Sequence, residues 1–186
     1  MAELIQGRIV ETEPAGGLKL MQMGFGRKTE NGVELHWLEA AYLSERKLLE
    51  VKDGKKILTW QDLTAEPSAE KKTKEKKSAK PAKKPDEINA PPRSEQFIIY
   101  RSLRAGGRLV RFSAPSPLQW RIYEKGVGRE QERPQMMVSI VTPNWSVSLD
   151  SLEKQLAVSR LLRLDLGMAF VRDGRPVMIK ISKPPI

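Results

Sequence analysis

A single tract governs how this chain can fold. From Thr64 to Arg93 it reads TAEPSAEKKTKEKKSAKPAKKPDEINAPPR, with five prolines and no aromatic residue. Such a segment cannot bury enough apolar surface to offset the entropy of ordering it. It is expected to be a flexible linker. Residues 1–63 and 94–186 on either side are globular in composition. The 186 residues therefore suit two small domains on a tether, each able to bury its own core.

The tract also explains the charge. The formal net charge is +10, which favours an anionic partner such as nucleic acid. Residues 70–84 alone hold eight lysines against two glutamates, a net of +6, so the rest of the chain carries only +4. Most of the basicity belongs to the tract and not to a folded face. Cysteine is absent, which excludes disulfides, thiol catalysis and a cysteine zinc site. The single histidine, His36, excludes a multi-histidine metal centre. No apolar run reaches the roughly 18 residues of a membrane span. The opening MAELIQGRIVETEP lacks the basic and apolar regions of a secretory signal. A soluble cytoplasmic protein is expected, with no membrane partner.

Periodicity outlines a mixed α+β fold in both parts. LIQGRIVET and GLKLMQ alternate apolar and polar residues as strands do. GFGRKTENG is turn-rich. ELHWLEAAYLSERKLLEV reads as a helix with Leu38, Ala41 and Tyr42 on one face and Leu35 and Leu49 flanking it. KKILTWQDL reads as a short strand and a closing helical turn. In the second part, Ser94 is a candidate cap for a helix carrying Phe97, Tyr100 and Leu103, ended by Gly106-Gly107. Strands are expected at 108–112, 118–123 and 136–141. Asp150 and Glu153 have capping-box spacing ahead of a helix with Leu152, Leu156 and Ser159 on one side. Strands at 166–171 and 177–181 flank a hairpin turn through Asp173-Gly174.

Few residues offer chemistry. In LQWRIY, Leu118, Trp120 and Ile122 alternate with Gln119, Arg121 and Tyr123, so Tyr123 leaves the strand on the face opposite the core. It can act as a general base or simply end a strand. Arg121, Lys125, Arg129 and Arg133 can grip phosphates, although Glu124, Glu130 and Glu132 are interspersed as on any solvated loop. Trp145 can stack on a base or pack at a domain edge. His36 has no evident acid partner and suits a structural role. The GFGRK run from Gly24 to Lys28 lacks Walker spacing. The lysine tract can touch RNA without sequence preference. These residues do not complete a catalytic set.

The arrangement of motifs resembles a known family. Gly7 and Val10, Gly24-Phe25-Gly26, Leu38-Glu39-Ala40, Tyr42-Leu43 and Leu63 are similar to the N-terminal domain of archaeal tRNA-splicing endonuclease subunits. YRSLRAGGRLVRFS and WRIY resemble motifs of that family's nuclease domain. Family members cut precursor tRNA at bulge-helix-bulge sites without metal or other cofactor, leaving 2′,3′-cyclic phosphate and 5′-hydroxyl ends. A tyrosine acts as base, a histidine as acid, and a lysine stabilises the charged phosphorane. This pairs proton transfer with electrostatic stabilisation.

Carried onto this sequence, the family tyrosine falls on Tyr123. The histidine position falls on Arg133, whose guanidinium stays protonated and cannot serve as an acid. The family's valine-arginine-lysine-lysine run falls on Leu162, Arg163, Leu164 and Asp165, which puts Leu164 at the lysine. A base-gripping arginine of the family would fall near Ala157. The resemblance thus implies the structural subunit of a heterotetramer of two catalytic and two structural chains, with precursor tRNA as the RNA partner. It further implies an interface through Val177, Ile179 and Ile181 of the last strand and through an acidic loop, for which Asp150 and Glu153 are candidates. Two alternatives remain open: an active nuclease using Tyr123 with a displaced group, and a general RNA-binding protein.

Overall fold

The computed structural model describes residues 1–66, 91–112, 118–124 and 133–181. The lysine tract, Lys125 and Arg129 lie outside the described residues. The chain divides into two compact units, Met1–Ala65 and Glu66–Ile186. Both units combine α-helices with a mixed sheet, giving the α+β class.

The first unit opens with β1 (Ala2–Ile5) and β2 (Arg8–Glu11), an antiparallel hairpin whose register pairs Ile5 with Arg8. Gln6 and Gly7 turn it with φ of 49° and 78°, the conformation of a two-residue hairpin loop. Next come α1 (Pro14–Gln22), β3 (Arg27–Thr29), β4 (Gly32–Leu35), α2 (Trp37–Glu45), β5 (Val51–Asp53), β6 (Lys56–Leu58) and α3 (Trp60–Thr64). The sheet order is β3-β4-β2-β1-β5-β6, antiparallel except where β1 meets β5. Leu38, Ala40, Ala41, Leu43 and Val51 are fully buried in its core.

Three sequence expectations are corrected here. GLKLMQ is not a strand but most of α1. Pro14 sits at the first helical turn, where its missing N–H costs nothing, and Gly17 is buried against β4. A Cβ on Gly17 would lie 2.8 Å from a methyl of Val33, so close packing, not helix propensity, selects glycine there. The helix read over ELHWLEAAYLSERKLLEV is shorter. Its ends belong to β4 and β5, His36 caps the start, and Lys47 takes φ of 58° just after the end. Thr64, placed at the start of the proline-rich tract, is a buried residue of α3.

The second unit contains α4 (Arg93–Ala105), β7 (Leu109–Phe112), β8 (Gln119–Tyr123), β9 (Pro134–Ile140), α5 (Leu149–Leu161), β10 (Asp165–Arg172) and β11 (Arg175–Ile181). Sheet order is β11-β10-β9-β8-β7. Among the described strands of this sheet only β9 and β10 run parallel, because α5 carries the chain back between them. Helix α4 buries Phe97, Ile99, Tyr100 and Leu103. Its Tyr100 meets Phe112 and Trp120 at ring-centroid distances of 5.8 and 6.1 Å. Helix α5 covers Met137, Leu164 and Leu166 with Leu152 and Leu156.

Two caps also differ from expectation. Helix α4 begins one residue before Ser94, and the carboxylate of Glu66 accepts from the Arg93 N–H at 2.7 Å. Helix α5 is capped by Ser148, whose Oγ accepts from the Ser151 N–H at 3.3 Å. Asp150 and Glu153 therefore do not form its capping box. Asp173-Gly174 is the expected hairpin turn, with φ of 51° and 71° between Arg172 and Arg175.

Candidate functional site

The site is built at one end of three adjacent strands. In β8, Trp120 and Ile122 are buried while Arg121 is exposed and Tyr123 half-buried, as alternation requires. Tyr123 closes β8 opposite Pro134, the first residue of β9, after a register shift between Ile122 and Tyr123. Arg133 immediately precedes β9 and is exposed. Strand β10 opens parallel to β9, with Asp165 beside Met136. Leu164 therefore stands next to the same strand ends. Tyr123, Arg133 and Leu164, separated by up to 41 residues in sequence, come to one edge of the sheet because α5 returns the chain there.

Their chemistry is unequal. A phenol can accept a proton once ionised, whereas guanidinium is held protonated at working pH. Leu164 has only 8% of its surface exposed and belongs to the apolar cluster with Met137 and Leu166. It supplies no charge, and the cluster disfavours placing one there. Arg163 precedes it in the left-handed region at φ 55°, exposed at the end of α5. The turn is fixed by the Arg163 and Leu164 N–H groups, which donate to Arg160 and Ser159 carbonyls at 2.9 and 2.8 Å. Asp165 is paired with Lys180 at 2.7 Å. Among the described residues this end of the strands offers arginine cations and a phenol and no histidine. Among the described residues no group of three or more His, Cys, Asp or Glu is placed to hold a metal ion.

Other expected residues lie apart. Asp150 and Glu153 are exposed in the first turns of α5, at the helix end remote from Tyr123. Ile179 is exposed while Val177 and Ile181 are half-buried on β11, the outer strand of the sheet. Trp145 is half-buried after β9, its N–H donating to the Thr142 carbonyl at 3.0 Å. His36 belongs to the first unit, where its Nδ1 accepts from the Leu38 N–H at 3.3 Å and caps α2. Gly24-Phe25-Gly26 is likewise structural: the Gly26 N–H donates to Glu39 Oε1 at 3.1 Å. Arg111 escaped sequence reasoning, since only the β7–β8 register brings it to the face that carries Arg121 and Tyr123.

Known proteins are similar to this chain over both of its units. The family model described as tRNA intron endonuclease, N-terminal domain, matches residues 1–64. A tRNA-splicing endonuclease of Thermococcus kodakarensis is 26% identical over 153 residues, covering 82% of this chain and 78% of that protein. One from Pyrococcus furiosus is 25% identical over 173 residues, or 92% of this chain and 88% of that protein. One from Methanococcoides burtonii is 23% identical over 184 residues, which is 99% of this chain but 46% of that longer protein. The N-terminal domain of the tRNA intron endonuclease family is matched over residues 1–64, and the similarity to tRNA-splicing endonucleases continues through the second unit.

Proposed function

We propose that this chain is the structural, non-catalytic subunit of a tRNA-splicing endonuclease that removes introns from precursor tRNA at bulge-helix-bulge sites. The reading is carried by one observation: Tyr123, Arg133 and Leu164 share a sheet edge, and two of the three lack the chemistry of the family's acid and cation. A buried leucine cannot stabilise a developing phosphorane, and an arginine cannot return a proton to the leaving oxygen. The retained arginines can still bind phosphates. A paired catalytic subunit then cleaves to 2′,3′-cyclic phosphate and 5′-hydroxyl ends.

In this reading residues 1–63 belong to the N-terminal domain and 94–186 to the nuclease-like domain, with the proline- and lysine-rich tract between them as the linker, apart from Thr64 and Arg93, which belong to α3 and α4. Two such chains join two catalytic chains in a heterotetramer. The outer strand β11, with Val177, Ile179 and Ile181, supplies one contact. The acidic start of α5, with Asp150 and Glu153, supplies another. Arg121, Lys125, Arg129 and Arg133 contribute phosphate contacts. Co-purification with a subunit that bears the tyrosine, histidine and lysine tests the assembly. A stable complex that gains cleavage is expected, and failure to associate would remove the reading.

A further inference from the structure

Helices α4 and α5 end in the same hydrogen-bonded turn. After α4 the Gly107 and Arg108 N–H groups donate to the Arg104 and Leu103 carbonyls at 3.0 and 3.1 Å. After α5 the Arg163 and Leu164 N–H groups donate to the Arg160 and Ser159 carbonyls at 2.9 and 2.8 Å. One residue of each turn is left-handed, Gly107 at φ 78° and Arg163 at φ 55°. Glycine meets that demand without strain, whereas a side chain there strains the backbone. Helix α5 thus ends on an exposed guanidinium where glycine would suit the backbone better. Strand register brings both turns to one end of the sheet. Leu109 pairs with Tyr123, Tyr123 with Pro134, and Ile122 and Asp165 both with Met136. Arg108, Arg133 and Arg163 therefore stand just beyond this end of β7, β9 and β10, and all three are exposed. Neighbouring strands lie about 4.8 Å apart, so the row spans about 14 Å. Glu124, also exposed, follows Tyr123 at the end of β8 and lies within the row.

We propose that Arg108 and Arg163 flank Arg133 in a row that holds separate phosphates of one nucleic-acid strand as it passes Tyr123. Planar guanidinium forks match phosphate oxygens and hold them with charge-assisted bonds. The span of about 14 Å exceeds the roughly 3.4 Å axial spacing of phosphates along a strand, so each arginine meets a phosphate of its own. The strained conformation of Arg163 then has a functional reason: the turn forgoes glycine to place a cation. Such contacts fix the path of the strand without reading its bases. Glu124 opposes the same strand and weakens its binding. Cations beside a helix C-terminus also favour its dipole. That role alone predicts that removing Arg163 destabilises the fold. The row rests on strand register and turn geometry. Its assignment to precursor tRNA rests on the splicing reading above.

Binding of a bulge-helix-bulge RNA to the full chain is measured over a salt series for wild type, Arg108→Gln, Arg163→Gly and the double variant. Arg172→Gln, at the far end of β10, is the control. Each single variant should bind about three- to fivefold more weakly, as for loss of one exposed charge pair. The slope of log K against log salt should flatten by about 0.7–0.9 for each arginine removed. The two losses should add, since the arginines hold different phosphates. Arg172→Gln should match wild type, and Glu124→Gln should bind more tightly. Arg163→Gly should melt no lower than wild type, because glycine suits the left-handed position. Unchanged affinity and slope in Arg108→Gln and Arg163→Gly, or an equal loss in Arg172→Gln, would overturn the row. A lower melting temperature for Arg163→Gly would assign that arginine to the helix end and overturn the row as well. Row-dependent binding with no preference for the bulged RNA over an unbulged duplex would uphold the row and remove the splicing assignment.

Discussion

Glu39 is 3% exposed, and both of its carboxylate oxygens are used. One accepts from the Gly26 N–H at 3.1 Å and the other from the His36 N–H at 2.9 Å. It thereby ties the Gly24-Phe25-Gly26 turn to the start of α2. Glu39→Ala should cost about 2–3 kcal/mol, since two N–H donors near the core lose a charged acceptor; urea unfolding measures this. Gly26→Ala should also destabilise. Gly26 has φ of 68°, and an added Cβ would lie 2.5 Å from a Val33 methyl and 2.9 Å from the Glu34 carbonyl. The sequence displayed both motifs, but it did not show that one side chain joins them. Asp62 makes a pH prediction. The Thr59 N–H, the Lys56 ammonium and the Thr59 hydroxyl hold its carboxyl well below its ordinary value of 3.8. Because the folded value is depressed, the stabilisation is complete above the unfolded value and is lost as pH falls through the folded one. Asp62→Asn should therefore lower the melting temperature at pH 7, and the gap to wild type should close on acidification below about pH 4.

At the scale of elements, helix ends carry the sharpest tests. Ser148→Ala should destabilise the second unit by about 1 kcal/mol through loss of the α5 cap. Asp150 and Glu153, relieved of a capping-box role, are free to serve assembly. Reversing both to lysine is predicted to dissociate heterotetramers into dimers, read by light scattering; intact heterotetramers would leave them as surface charge only. Strands β8 and β9, helix α4 and the β10–β11 hairpin were legible because alternation, a three-residue apolar spacing and Asp173-Gly174 all reported local geometry. Helix α1 was not, because Gly16 and Gly17 lower its intrinsic propensity while suiting its close approach to Glu11 and Val33. The end of α2 was hidden for a related reason: apolar residues continue past Glu45 into a turn and β5. Tertiary packing outweighed local preference in both places.

For the whole molecule, the proline- and lysine-rich tract announced two globular parts, and the chain does form two compact units. The alternation that sets half-buried Tyr123 on the face opposite Trp120 and Ile122 was also legible in β8. The proximity of Tyr123 to Arg133 and Leu164 was not, since that depends on β9 and β10 lying parallel after the α5 crossover. That Arg108, Arg133 and Arg163 stand at one end of the sheet was equally hidden, because it depends on the β7–β8 and β8–β9 registers and on the same crossover. No helix among the described residues is long and apolar enough to cross a membrane. The account turns on whether this sheet edge is catalytic. The most direct measurement is cleavage of a bulge-helix-bulge RNA by the purified full chain, alone and after mixing with a family subunit that bears the tyrosine, histidine and lysine. The account predicts no site-specific cleavage alone and cleavage to cyclic-phosphate ends in the mixture, unchanged by Tyr123→Phe in this chain. Efficient cleavage by the chain alone, abolished by Tyr123→Phe, would contradict it.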